Sequence, residues 1–151
     1  MFQIIPPKQL ILMQGVPGSG KSFWAKKALD SLCTDKWIGI IHSTDDYRKQ
    51  PCGHYVHDVS QNAAHHAATQ RDCVESMRGE VNYIIIDNTN IEKWQVAPYL
   101  ALASMYGYEV IVQTIQVPLK TALARNAQRD ANRRVPDGVI ESMYEKMEIL
   151  L

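Results

Sequence analysis

Apolar runs alternate with amphipathic stretches along the chain, and their periods separate strands from helices. QLILMQ (9–14) is a short apolar run that stops at a glycine-rich stretch, as a buried strand would. From about Lys21 to Leu32 the apolar residues Phe23, Ala25, Ala28, Leu29 and Leu32 recur at helical spacing. WIGIIHS (37–43) predicts the second strand. Residues 44–57 form a polar loop with Pro51 and Gly53, opened by a short helical turn. Asp58 to Met77 is alanine-rich and helical in pattern, with Gly79 as its stop. VNYIIID (81–87) is a strand whose three consecutive isoleucines suit burial on both faces.

A helix follows from about Ile91 to Met105, ended by Gly107, and then the strand YEVIVQTIQV (108–117). Pro118 suits the first turn of a helix running through Leu119 to about Arg129. A basic loop, DANRRVP, leads to a last helix from about Asp137 to the C-terminus. This order predicts a parallel α/β sandwich with right-handed crossovers, four strands, and helices on both faces of the sheet. Residues 1–151 are expected to form one domain.

Composition narrows the function classes. Sixteen basic residues balance sixteen acidic ones, so no global field draws the chain onto long nucleic acid or an anionic membrane. That argues against a broad DNA footprint and leaves open recognition of a strand end or a small phosphorylated molecule. The N-terminal MFQIIPPKQLILMQ lacks the pattern of a signal peptide, and no segment is apolar for long enough to span a bilayer. Cys33, Cys52 and Cys73 are odd in number and form no CxxC pair, which suits reduced thiols in a cytoplasm-like compartment. Cys52, His54, His57, His65 and His66 cluster in sequence, but C-x-H-x-x-H is not a usual zinc spacing.

Four stretches carry candidate chemistry. GVPGSGKS (Gly15, Val16, Pro17, Gly18, Ser19, Gly20, Lys21, Ser22) matches G-x-x-x-x-G-K-[ST] in full, with a strand before it and a helix after. Glycines let the backbone turn its N–H groups inward, and the helix N-terminus adds positive potential for phosphate oxygens. Lys21 is expected to reach the terminal phosphates of ATP, and the Ser22 hydroxyl to bind Mg²⁺. STDDYR (43–48) lies just past the second strand, where open parallel sheets bind ligands. A carboxylate there could accept a proton from an attacking hydroxyl, and Arg48 could hold an acceptor phosphate. Equally, Thr44 or Asp45 could cap a helix with Arg48 in solvent. IIIDNTN (84–90) has the form of a strand ending in a magnesium-contacting acid, Asp87, although Asp87, Asn88 and Asn90 also suit an Asx turn. ARNAQRDANRRVP (124–136) puts Arg125 and Arg129 on one helix face, with Arg133 and Arg134 in the loop beyond. Such a run is either a solvated basic face or an arginine-rich lid that neutralises a phosphoryl group in transit.

Together, PGSGKSFWAKK, DDYR, IIIDNTN, RNAQR and VPDGVIESMYEKM resemble the P-loop polynucleotide kinase family, over nearly the whole chain. The resemblance includes the 5′-kinase half of the phage enzyme and the NEDD4-binding branch. It implies a P-loop NTPase three-layer sandwich that transfers the ATP γ-phosphate to the 5′-OH of DNA or RNA. It implies Asp45 as the base, with Arg48 on the acceptor phosphate and Asn88 assigned to the same side. Arg129 would hold the transferring phosphate and Arg125 the nucleotide. The phage enzyme has Ser-Asp where this chain has Asp87-Asn88, and residues 49–57 follow neither relative. The alternatives are a small-molecule, nucleotide or sugar-nucleotide kinase on the same fold, and an ATP-dependent binding module.

Overall fold

The computed structural model describes residues 3–151. Its strands are β1 (Gln9–Gln14), β2 (Gly39–His42), β3 (Tyr83–Ile86) and β4 (Glu109–Thr114). Its α-helices are α1 (Lys21–Leu32), α2 (Asn62–Arg78), α3 (Lys93–Tyr106), α4 (Leu119–Ala127) and α5 (Asp137–Lys146). Two 3₁₀ turns, Thr44–Arg48 and Val59–Gln61, lie between β2 and α2.

The four strands form one parallel sheet in the order β2-β3-β1-β4. Gln9 of the central β1 stands opposite Tyr83 on one side and Glu109 on the other. The step from β1 to β2 runs outward past β3, whereas the steps β2 to β3 and β3 to β4 run back the other way. Right-handed crossovers therefore send α1 to one face and α2 and α3 to the other.

Side-chain burial follows that division. Leu10, Leu12, Ile84 and Ile86 pack with Cys73 and Met77 of α2 and with Val96, Tyr99 and Ala103 of α3. Their strand neighbours Ile11, Met13 and Ile85 point the opposite way and pack with Ala25, Trp24, Ala28 and Leu29 of α1. A third cluster joins Val16 and Ile91 to Ala122 of α4 and Ile140 of α5, beside the carboxyl end of β1. A strand with period two and both faces covered reads as a continuous apolar run, which is why QLILMQ and YIII lack alternation. β1 and β3 send their following helices to opposite faces. The crevice between their carboxyl ends is thus the topological switch point of the sheet.

Several boundaries differ from the sequence reading. β2 starts at Gly39, not at residue 37, because the Asn82 side chain takes the Ile38 N–H at 2.9 Å ahead of the ladder. Residues 59–61 form a separate 3₁₀ turn capped by Asp58, so α2 starts at Asn62. The last helix does not reach the C-terminus. It stops at Lys146, and the tail returns to the body: Glu148 N–H donates to the Ile91 carbonyl at 2.9 Å, Gln14 Nε2 donates to the Glu148 carbonyl at 2.8 Å, and Leu150 is buried. Among the described residues no helix is long and apolar enough to cross a membrane.

Candidate active site

The loop after β1 enters the switch-point crevice, and α1 starts inside it at Lys21. Gly20, its N-cap, offers no side-chain acceptor, so the first-turn amides stay open. Within the loop Ser19 N–H donates to the Val16 carbonyl at 3.1 Å, and Gly15 N–H donates to the Thr89 carbonyl at 3.0 Å. Among the described residues no acceptor meets the N–H groups of Gly18, Gly20, Lys21 or Ser22. These amides and the N-terminus of α1 form a cradle for phosphate oxygens. Gly18 has φ +84°, and a Cβ there would lie 2.4 Å from the Ala122 carbonyl oxygen of α4, so only glycine fits.

Lys21 is half-buried, and desolvation pulls its ammonium below the ordinary lysine range. The charge of Asp87 opposes that effect, Arg129 adds to it, and Asp45 again opposes it. Charges from three other segments thus lie near enough to act on Lys21. Lys21 Nζ itself donates to the Val16 carbonyl at 3.4 Å, a long bond that a phosphate would outcompete.

Asp87 follows β3, and its N–H continues the sheet by donating to the His42 carbonyl at 2.9 Å. The Ser22 hydroxyl donates to Asp87 Oδ2 at 2.7 Å, while Asp87 Oδ1 is buried with no partner. A hydroxyl and a half-open carboxylate are the hard oxygen donors that a magnesium ion takes, so the residues fit the ion. The Ser19 hydroxyl and the Asn88 side-chain nitrogen are also buried without partners in this crevice, as expected of groups that await a ligand. Asn88 Oδ1 accepts the Thr44 N–H at 3.0 Å and so joins β3 to the loop after β2.

In that loop neither Thr44 nor Asp45 is the cap. Ser43 caps the 3₁₀ turn through the Asp45 N–H. The Asp45 carboxylate is thereby not spent on capping the turn. Arg48 is not in solvent; its side chain is only 14% exposed. Nη1 donates to Asp45 Oδ1, and Nη2 donates to Asn62 Oδ1 at 3.2 Å, with Nε buried and unpartnered.

α4 stops at Ala127, so Arg129 sits beyond the helix and does not share a helical face with Arg125. The cause is Asn126. Its buried side chain takes the Val135 N–H at 3.0 Å and donates to the Val135 carbonyl at 2.6 Å, which pulls the chain back at once. Arg125 Nη1 points at the Gly18 and Ser19 carbonyls, 3.4 and 3.3 Å away, and so braces the loop from behind. Arg134 donates twice to the Arg129 carbonyl, and Arg133 lies over the Tyr55 ring. His66 is held near Thr44, and the His65 ring stacks on Tyr47.

Sequence reasoning missed Asn126 and Tyr55, and gave Asn90 only a place in an Asx turn. Asn90, at φ +45°, is buried and donates to the Met13 carbonyl at 2.7 Å, which fastens the loop after β3 to β1. The signal for both asparagines was a polar residue at a position the apolar pattern buries. Tyr55 offered none beyond being an aromatic residue in a polar loop.

Residues 10–150 match the model of the AAA domain family. The chain belongs to that family. Human NEDD4-binding protein 2 is 40% identical over 102 residues, which are 68% of this chain and 6% of that protein. A protein of Autographa californica nuclear polyhedrosis virus, named as a bifunctional polynucleotide kinase/RNA ligase, is 24% identical over 144 residues, 92% of this chain and 21% of the viral one. The chain therefore spans a small part of the relatives it matches. Among solved structures, the Pnkp1/Rnl/Hen1 RNA repair complex superposes with a TM-score of 0.73 at 18% identity, covering 95% of this chain and 45% of that one. The APS kinase CysC of Mycobacterium tuberculosis gives 0.61 at 15% identity, over 82% and 71%. These superpositions identify the P-loop kinase fold, which serves both polynucleotide-kinase relatives and a small-molecule kinase.

Proposed function

We propose that this domain transfers the γ-phosphoryl group of ATP to a hydroxyl, namely the 5′-OH end of DNA or RNA. The observation that carries the reading is the pairing of Asp45 with Arg48 at the carboxyl end of β2, across the switch-point crevice from Lys21. A base alone would suit hydrolysis. A base joined to a half-buried guanidinium suits an acceptor whose reactive hydroxyl lies beside a phosphate.

In this reading the loop amides and Lys21 hold the donor phosphates. Ser22 and Asp87 hold a magnesium ion, which supplies positive charge to the phosphates when bound. Asp45 orients the acceptor hydroxyl and takes its proton, Arg48 and Asn88 hold the acceptor, and Arg129 neutralises the phosphoryl oxygens. Positioning and electrostatics then supply most of the rate, as expected where the chemistry asks little covalent work of the protein. The viral relative, whose name includes polynucleotide kinase, supports the acceptor class. Arg125 contributes to the nucleotide side by bracing the loop.

The test is a panel assay with labelled ATP and 5′-OH oligonucleotides, nucleosides, nucleoside 3′-monophosphates, adenylyl sulfate and sugar nucleotides. Oligonucleotides and 3′-monophosphates are expected to react, plain nucleosides poorly, and Arg48→Ala should abolish the difference by raising KM for the phosphorylated acceptor. Labelling of a sugar nucleotide or adenylyl sulfate alone would replace the polynucleotide reading with a small-molecule kinase.

A further inference from the structure

Residues 49–57 close into a hairpin over the acceptor side of the site. Lys49 and Tyr55 form an antiparallel bridge, Gln50 N–H donates to the His54 carbonyl at 2.6 Å, and Val56 N–H donates to the Arg48 carbonyl at 2.8 Å. This fixes Tyr55 against the turn that carries Asp45. The Tyr55 hydroxyl donates to Asp45 Oδ1 at 3.1 Å, the same oxygen that takes Arg48 Nη1. Among the described residues no donor reaches Asp45 Oδ2. One oxygen is thus held by two donors and the other is left for a hydroxyl.

The far side of Tyr55 faces the arginine-rich segment. Asn132 Nδ2 donates to the Tyr55 carbonyl at 3.2 Å, and the Arg133 guanidinium lies 5.1 Å from the ring centroid. We propose that Tyr55 is a positioning residue that holds the Asp45 carboxylate through its hydroxyl and ties it, through ring and carbonyl, to residues 128–136. The proposal rests on the reading of Asp45 as the base.

The chemistry favours a lasting bond. Burial and the neighbouring Asp45 charge push the phenol above its ordinary range, so it stays a donor across the pH range of a kinase assay. A carboxylate pinned at one oxygen loses rotational freedom before the acceptor arrives, which lowers the cost of reaching a reactive geometry. The second attachment gives the arginine-rich segment a route to the base. The charge that Arg129 brings near Lys21 and the aim of Asp45 then become one arrangement.

The two attachments are separable by mutation. Tyr55→Phe keeps the ring and carbonyl and removes only the hydroxyl. It is expected to lower kcat for oligonucleotide phosphorylation by about tenfold or more, the scale of one hydrogen bond to a charged group, with KM for ATP unchanged. In an Asp45→Asn background the same change is expected to cost nothing further, since there is no carboxylate left to aim. Tyr55→Ala also removes the ring from under Arg133, leaving only the Asn132 bond to the carbonyl, so trypsin should cleave after Arg133 and Arg134 several-fold faster than in wild type or Tyr55→Phe. An unchanged kcat in Tyr55→Phe, or equal losses in both backgrounds, would overturn the positioning role. Trypsin cleavage needs no acceptor, so unchanged cleavage in Tyr55→Ala overturns the tie through the ring whatever the panel yields. A wild type that phosphorylates nothing, with faster cleavage in Tyr55→Ala, rejects the kinase reading and leaves the tie supported.

Discussion

Gly18→Ala is the sharpest test of how α4 and the phosphate loop depend on one another. The residue has φ +84°, a region that costs an L-residue about 1–2 kcal/mol. The new methyl would also stand 2.4 Å from the Ala122 carbonyl oxygen, with the carbonyl carbon and Cα of Ala122 at 3.2 and 3.3 Å. These are backbone atoms of a helix whose Ala122 and Asn126 are buried, so no side chain can rotate away. Overpacking of this kind adds about 1–3 kcal/mol. The total is near 3 kcal/mol, and Tm should fall by roughly 6–12 °C for a domain of this size.

Gly107→Ala is the matched control. Gly107 caps α3 at φ +75°, but nothing lies within 4 Å of its Cβ position, so it bears the conformational cost alone, about 1–2 kcal/mol. The two variants also part in function. Relief of the Gly18 clash must separate α4 from the loop, and α4 carries Arg125, whose guanidinium reaches the Gly18 and Ser19 carbonyls. Nucleotide affinity should fall by about tenfold or more in Gly18→Ala, a loss of roughly 1.4 kcal/mol, and stay unchanged in Gly107→Ala. Thermal unfolding by circular dichroism and ATP titration by calorimetry read both quantities. A Gly18→Ala protein that melts with Gly107→Ala and binds ATP like wild type would refute the close packing of α4 on the loop.

Lys21→Met removes a desolvated ammonium, so the nucleotide-free protein should melt no lower than wild type, while the rise of Tm with ATP and all phosphoryl transfer are lost. Undiminished turnover in the folded variant would contradict the assignment. Asp45→Asn should keep ATP affinity and lower transfer by roughly 10²-fold, the scale of a general base, and Asp46→Asn should do much less; equal rates in the two variants would leave Asp45 without a catalytic role. His42 and His66 are both held below the ordinary histidine range, first of all by burial. The unfolded chain therefore binds more protons than the folded one below about pH 6.5, so stability present at pH 7.5 should decline as the pH falls toward 5. A His42→Gln/His66→Gln double variant should show a shallower decline of Tm over that range, and an unchanged slope would rule these two groups out.

Strands and crossover helices were legible because each is decided by a local pattern. YIII is apolar on both faces because α1 covers Ile85 while α2 and α3 cover Ile84 and Ile86, and that demand is written into consecutive residues. The phosphate loop was legible for the same reason, since its function needs backbone turns that few residues other than glycine permit. Side chains that bond across the chain left weaker marks. Asn126 ends α4 by pairing with Val135, nine residues on, and a pattern that extends a helix by its apolar spacing cannot register that competition.

The acceptor side is the far end of this scale. DDYR could be quoted from the sequence, but whether Arg48 faced solvent or Asp45 depended on Asn62, which lies on another element, and on the hairpin that follows. The bond from Tyr55 to Asp45 spans ten residues, and that from Asn132 to Tyr55 spans 77. Neither has a period or a spacing rule to announce it. Donor recognition relies on amides, which any sequence with the right turns supplies. In the proposed reading, recognition of an acceptor relies on a few side chains brought together from distant segments, so it can change by substitutions in one hairpin that keep Tyr55, while the phosphate loop and the sheet stay as they are. A swap of residues 49–57, with Tyr55 kept, for those of a relative with a different acceptor should then change KM for the acceptor and leave ATP affinity untouched. A swap that weakens ATP binding as much as acceptor binding would contradict this division of the site.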